Sequence, residues 1–140
     1  MSDCVDNNEF IPLLLHEIKN RSSLSRIKSI IEKYKHASKV NINKHKDDGN
    51  TAFTLVVAQN TSTDIIKYLY DTFKDTIDIN TQNKDGNTAF MLAAQNPNIV
   101  VIKYLCETFK DTIDINVQNK DGNTAFIFAA QNTRAEVTKY

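Results

Sequence analysis

Asn83-Lys84-Asp85-Gly86-Asn87-Thr88-Ala89-Phe90 is written again at Asn119 to Phe126 and, with small changes, at Lys46 to Phe53. The only glycines of the chain, Gly49, Gly86 and Gly122, fall at one point of this stretch, 37 and then 36 residues apart. Glycine takes positive φ without a Cβ penalty, and Asp-Gly is a strong tight-turn signal, so each unit turns sharply there. Thr51, Thr88 and Thr124 come directly after, each able to cap a helix from its hydroxyl, and an apolar run succeeds each threonine. A turn and a helix start therefore recur together, which is the mark of a repeat protein.

Working outward, the unit around Gly49 predicts a helix from about Thr51 to Gln59, a break at Asn60-Thr61 and a second helix from Asp64 to Phe73. The next unit predicts Thr88 to Gln95, a break at Asn96-Pro97 and Ile99 to Phe109. The last starts at Thr124, breaks at Asn132-Thr133 and reaches Tyr140, the counterpart of Tyr104 and Tyr68. Its second helix has only seven residues, a length at which helices fray. Val40-Asn41-Ile42-Asn43, Ile77-Asp78-Ile79-Asn80 and Ile113-Asp114-Ile115-Asn116 alternate and read as extended connectors. Upstream, Phe10, Leu13, Leu14 and Ile18 line one face of a helix capped by Asn8, with Pro12 in its first turn; Ser22 or Ser23 caps another whose stripe is Leu24, Ile27, Ile30, Ile31 and Tyr34.

A chain of 140 residues with 41% hydrophobic residues fits one globular domain, not a disordered or membrane chain. Ile11 to Leu15 is too short to span a bilayer and lacks the flank of a signal peptide, and the two unrelated cysteines, Cys4 and Cys106, read as reduced thiols, so a cytoplasmic setting is expected. Net charge is zero, yet Lys19 to Lys46 holds nine Lys or Arg against one acid, Glu32. Such a block can meet nucleic acid, an anionic surface or an acidic protein; with no aromatics set for base stacking, a solvated helix face is the simpler reading.

These residues resemble the ankyrin repeats, whose unit of about 33 residues is a β-turn plus two helices with a Thr-Pro-Leu-His-x-Ala signature. Asp85 to Ala94 occupies the turn and first helix; Ile102 to Glu107 with Asp114-Ile115-Asn116 occupies the second helix and exit. The resemblance implies an all-α helix-turn-helix solenoid with β-turn or hairpin connectors and about three and a half repeats. On it the chain divides into a polar lead at 1–7, a capping helix hairpin at 8–46, repeats at 47–83 and 84–119, and an incomplete repeat at 120–140. The signature's proline is replaced by Ala52, Ala89 and Ala125, its leucine by Phe53, Phe90 and Phe126, and its histidine by Thr54, Met91 and Ile127, so the family's Thr–His hydrogen bond is lost. Thr61, Pro97 and Thr133 stand for the inter-helix glycine, each after an asparagine able to take the left-handed conformation. About three residues are added after Phe73 and Phe109 relative to the family's period. One more near Val56-Val57-Ala58 either bulges the first helix or lengthens its turn. Ala93, Ala94, Ala129 and Ala130 allow close packing, and Phe53, Phe90, Phe126, Tyr68, Tyr104, Leu69 and Leu105 supply buried bulk.

No constellation breaks the repeat as catalytic chemistry would. His16, His36 and His45 are far apart, no Cys or carboxylate pair has ligand spacing, and Asp85 and Asp121 read as turn formers, so neither enzyme, metal nor cofactor is expected. The resemblance implies a protein-binding module using the concave surface and turn tips, here Asp47, Asp48 and Asn50; Lys84, Asp85, Asn87 and Gln95; and Lys120, Asp121, Asn123 and Gln131. Two alternatives stand beside it: segment 19–46 binding an anionic surface or nucleic acid, and a shortened remnant of a longer repeat protein. A monomer is expected, with self-association through the uncapped carboxyl end as the other arrangement. The richness in Asn, Lys and Ile suggests an AT-rich genome; if its bearer lives inside a host, delivery into the host cell is the corresponding expectation.

Overall fold

The computed structural model describes residues 7–36, 40–45, 48–59, 63–96 and 98–132. These hold seven helices and no strand: α1 (Asn7–Lys19), α2 (Leu24–Tyr34), α3 (Ala52–Ala58), α4 (Thr63–Phe73), α5 (Ala89–Gln95), α6 (Ile99–Phe109) and α7 (Ala125–Gln131). Helices α1, α3, α5 and α7 form one row, each packed on the next; α2, α4 and α6 pack beside α1, α3 and α5 respectively. The fold is an all-α stack. Residues 1–6, Asp47, Asn60, Pro97 and the expected final helix with Tyr140 lie outside the described residues.

Each buried stripe keeps helical spacing. Ile27, Ile30, Ile31 and Tyr34 of α2, Ile65, Ile66, Leu69 and Phe73 of α4, and Val101, Ile102, Leu105 and Phe109 of α6 all enter one core. The first-helix row is tight because Ala52, Ala89, Ala93, Ala94 and Ala129 present nothing beyond Cβ. Helix α1 starts at Asn7, so Pro12 sits in its second turn rather than its first, where it cannot donate to the carbonyl four residues back.

The caps separate the three equivalent helix starts. Thr51 and Thr88 accept from the backbone N–H groups of Thr54 and Met91, both at 3.2 Å, whereas Thr124 makes no side-chain cap bond. In the first unit the Thr51 and Thr54 hydroxyls also lie 2.9 Å apart and buried, so a Thr–Thr bond stands where the family's Thr–His pair would be. Thr88→Ala should therefore lower stability by about 1 kcal/mol and Thr124→Ala by almost nothing. Urea midpoints of the two variants check this.

Several expectations change on contact with the structure. The connectors are turned at Ile42-Asn43, Ile79-Asn80 and Ile115-Asn116, not extended, because Asn41, Asp78 and Asp114 each accept from the backbone N–H two residues on, at 3.0, 2.9 and 2.9 Å. Helix α3 is as long as α5, so the added residue falls in the connection to α4 and the helix does not bulge. The three residues added after Phe73 close that helix end: Thr76 and Ile77 both donate to the Phe73 carbonyl, at 2.9 and 3.0 Å, and Thr112 and Ile113 repeat this on Phe109.

Asn96 and Asn132 do not turn left-handed. Both are extended, with φ of −73° and −69°, because their side chains reach back to the preceding unit. Asn96 Nδ2 donates to the Val57 carbonyl at 2.9 Å, and Asn132 Nδ2 to the Ala94 carbonyl at the same distance. Phe126 is 69% exposed, whereas Phe53 is buried against the Phe109 ring; Ala130 is exposed too. A residue of this row is covered by the unit after its own.

Candidate protein-binding surface

The turn tips around Gly86 and Gly122 are each built by one asparagine, whereas at Gly49 Asp48 Oδ1 accepts from the Asn50 N–H at 3.0 Å. Asn83 Oδ1 accepts from the Asp85 and Asn87 backbone N–H groups at 3.0 and 2.9 Å, the Asn83 N–H donates to the Asn87 carbonyl at 2.9 Å, and Gly86 N–H donates to the Asn83 carbonyl at 2.9 Å. Asn119 repeats this set around Gly122. The loop is closed by its own side chain, with Gly86 and Gly122 at φ of 80° and 79°.

The tips are then joined in a row. Lys84 N–H donates to the Asp48 carbonyl and Lys120 N–H to the Asp85 carbonyl, each at 3.0 Å. Asn83 Nδ2 donates to Asn50 Oδ1 at 3.0 Å and Asn119 Nδ2 to Asn87 Oδ1 at 2.9 Å. Farther along, Asn43 and Asn80 each donate to the next unit's threonine carbonyl (Thr76, Thr112) and accept from its Asp78 or Asp114 N–H. Asparagine is the ladder between units, because its amide donates and accepts at once.

The residues named from sequence thus separate into two groups. Lys84, Asp85, Lys120 and Asp121 are exposed at the tips, and Gln95 and Gln131 are exposed at the ends of α5 and α7. Asn50 and Asn87 are half-buried and commit Oδ1 to the next unit, while Asn123 is half-buried in the last tip. Asp48 pairs with Lys19 at 3.2 Å; partial burial pushes its carboxyl up, but the Asn50 backbone and side chain and Lys19 outweigh this and hold it below the usual value. Asp47 lies outside the described residues. Residue type alone does not reveal which asparagines are consumed; their recurrence at the glycine period is the available signal.

Within the basic segment, Lys19, Arg26, Lys28, Lys33 and Lys35 are occupied, while Lys39 and Lys46 lie outside the described residues. Arg26 pairs with Glu17 at 3.2 Å and Lys35 with Glu32 at 2.9 Å, while Lys28 and Lys33 lie over the Tyr68 and Tyr34 rings at 5.1 and 5.0 Å. Hydrogen bonds from Ser22, then Arg26, hold Glu17 below the usual carboxylate range; those from Tyr68, then Lys35, do so for Glu32. Burial, together with its bond to Glu32, pushes the Tyr68 hydroxyl up to about 12. Any stability from this raised hydroxyl is full below the ordinary tyrosine range, near 10, and is lost as pH rises through about 12. Alkaline titration monitored by tyrosinate absorbance should show Tyr68 ionising near 12, a step that Tyr68→Phe removes.

No group of three His, Cys, Asp or Glu residues could hold a metal among the described residues, and burial pushes the Cys106 thiol up, away from nucleophilic form. Among the described residues no helix is long and apolar enough to cross a membrane. Residues 3–119 and 76–140 match the family model described as ankyrin repeats, in three copies. The chain belongs to the ankyrin-repeat family. Ankyrin repeats are general protein–protein interaction modules and are typically not enzymes. No curated protein sequence is similar enough to match. Among solved structures, a chain from the crystal structure of the yeast ribosomal protein Rps3 in complex with its chaperone Yar1 is similar in fold, with a TM-score of 0.72, 22% identity, and coverage of 97% of this chain and 92% of that one.

Proposed function

We propose that this ankyrin chain binds a protein partner through the outer row of its tips, with Lys84, Asp85, Lys120 and Asp121 making contact and Gln95 and Gln131 extending the surface along the first helices. The observation that carries this is the division of labour within the tips around Gly86 and Gly122. Asparagine side chains and backbone groups meet one another's hydrogen-bonding needs, which leaves the Lys-Asp side chains outward and without a structural duty. A rigid tip presents a charged pair at little entropic cost on binding. Two identical pairs in register suit a partner whose charges alternate along an extended segment or helix face. With most cations of segment 19–35 paired or stacked, the anionic-surface reading has less to work with than the sequence suggests.

Photo-crosslinking side chains placed singly at positions 85, 95, 121 and 131, with 67 and 103 on the second helices as controls, test this in native lysate. The expected result is one common adduct from the first four positions, absent from the controls and lost in a K84E/K120E chain. Equal adducts from all six positions, or adducts indifferent to the charge reversal, would remove the tip surface from consideration.

A further inference from the structure

The first junction of the stack is closed differently from the two after it. Gln59 caps α3 as Asn96 caps α5 and Asn132 caps α7, but it stays helical, with φ of −78° and ψ of 0°, where both asparagines turn out to ψ of 132°. Asn96 uses its whole amide: Nδ2 donates back to the Val57 carbonyl and Oδ1 accepts from the Asn98 N–H. Gln59 does not. Its Oε1 is the one buried side-chain oxygen or nitrogen without a hydrogen-bond partner among the described residues. A buried acceptor left unpaired is costly, and folded proteins hold few of them.

Gln59 lines a cavity of about 10 Å³ where the α1–α2 hairpin meets the α3–α4 unit, walled by Ile18 and Ile27 on one side and Val56 and Ile65 on the other. That is room for one water molecule and nothing larger. The second polar wall is Ser22, whose hydroxyl donates to Glu17 at 2.5 Å and so keeps its lone pairs for accepting. We propose that this cavity is a hydration site for a single water, which donates one hydrogen to Gln59 Oε1 and the other to Ser22 Oγ. A bridging water serves a buried acceptor nearly as well as a direct bond, whereas an apolar cavity of the same size stays dry. The water ties the α3–α4 unit to the amino-terminal hairpin, a task that Asn96 and Asn132 perform directly at the later junctions.

Water-to-protein cross-relaxation in the intact, isotope-labelled chain tests this. The methyl groups of Ile18, Ile27, Val56 and Ile65 should show peaks at the water frequency, with laboratory-frame and rotating-frame signals of opposite sign, the signature of a water that tumbles with the protein. The equally buried methyl groups of Ile102 and Leu105 should show none. Gln59→Met keeps the length of the side chain and removes its oxygen, and the peaks should be lost with it. Peaks that survive Gln59→Met would come from the exchanging Ser22 hydroxyl and would overturn the proposal. Oxygen-17 relaxation, which is blind to hydroxyl protons, should count one more long-lived water in the original chain than in the variant; equal counts would also overturn it. Absence of the four methyl signals from the original chain is decisive by itself, whether or not the variant folds, because Gln59 Oε1 would then be served by a direct bond or by nothing.

Discussion

Gly86→Ala should destabilise the chain by roughly 3–4 kcal/mol, while the same change at the equivalent Gly122 should cost about 1–2 kcal/mol. Both glycines sit at positive φ, 80° and 79°, so both variants bear the left-handed strain of an L side chain. Only Gly86 also faces a neighbour. A methyl group there would lie 2.9 Å from the Asn119 Cα and the Lys120 nitrogen, which are backbone atoms and cannot swing aside. The same approach carries the bond from Lys120 N–H to the Asp85 carbonyl, so relief by separating the tips would break the ladder. Thermal melts read the difference directly: in a domain of this size each kcal/mol moves the midpoint by about 2–4 °C. Equal shifts for the two variants would mean that the tips do not touch in solution.

Local features of this chain are legible in its sequence. A glycine at a fixed point of a repeat declares its own φ, and a threonine ahead of an apolar run declares a helix start, because both are properties of a few consecutive residues. The stripes of α2, α4 and α6 are legible for the same reason. Phe126 is not. It matches Phe53 and Phe90 in every local respect, yet its exposure depends on whether another unit packs beyond it in the stack.

The asparagines elude a sequence reading for a different reason. Asn43, Asn80 and Asn116 recur at the glycine period, as do Asn50, Asn87 and Asn123, but abundance of this residue type also fits genome composition. The distinguishing question is where the turn carbonyls and N–H groups of each unit find partners, since buried backbone groups are nearly always satisfied. The candidate surface shrinks accordingly. Of the residues expected at the tips, the charged pairs remain available, and Asn50 and Asn87 belong to the scaffold.

Asn96→Ala should cost roughly 2–4 kcal/mol, from two losses. Asn96 is 4% exposed; its Nδ2 gives the Val57 carbonyl a buried partner at 2.9 Å, and its Oδ1 accepts from the Asn98 N–H at 2.8 Å at the entry to α6. Alanine takes this buried donor away from the Val57 carbonyl, and it frees the turn that aims α6. Asn96→Gly separates this account from the one suggested by the sequence. If Asn96 served as a left-handed helix terminator, glycine would do as well or better. Because φ is −73° and the side chain carries the bond, glycine should instead cost at least as much as alanine, with added backbone entropy in the unfolded chain. Asn132→Ala removes the equivalent bond to the Ala94 carbonyl, but at a half-buried site where water can replace it, so its effect should be smaller. Urea denaturation of the three variants ranks them. Amide exchange adds the mechanism: since the Asn96 bond ties the α5–α6 unit to the α3–α4 unit, its loss should speed exchange from residue 98 to 132 more than in α1 and α2.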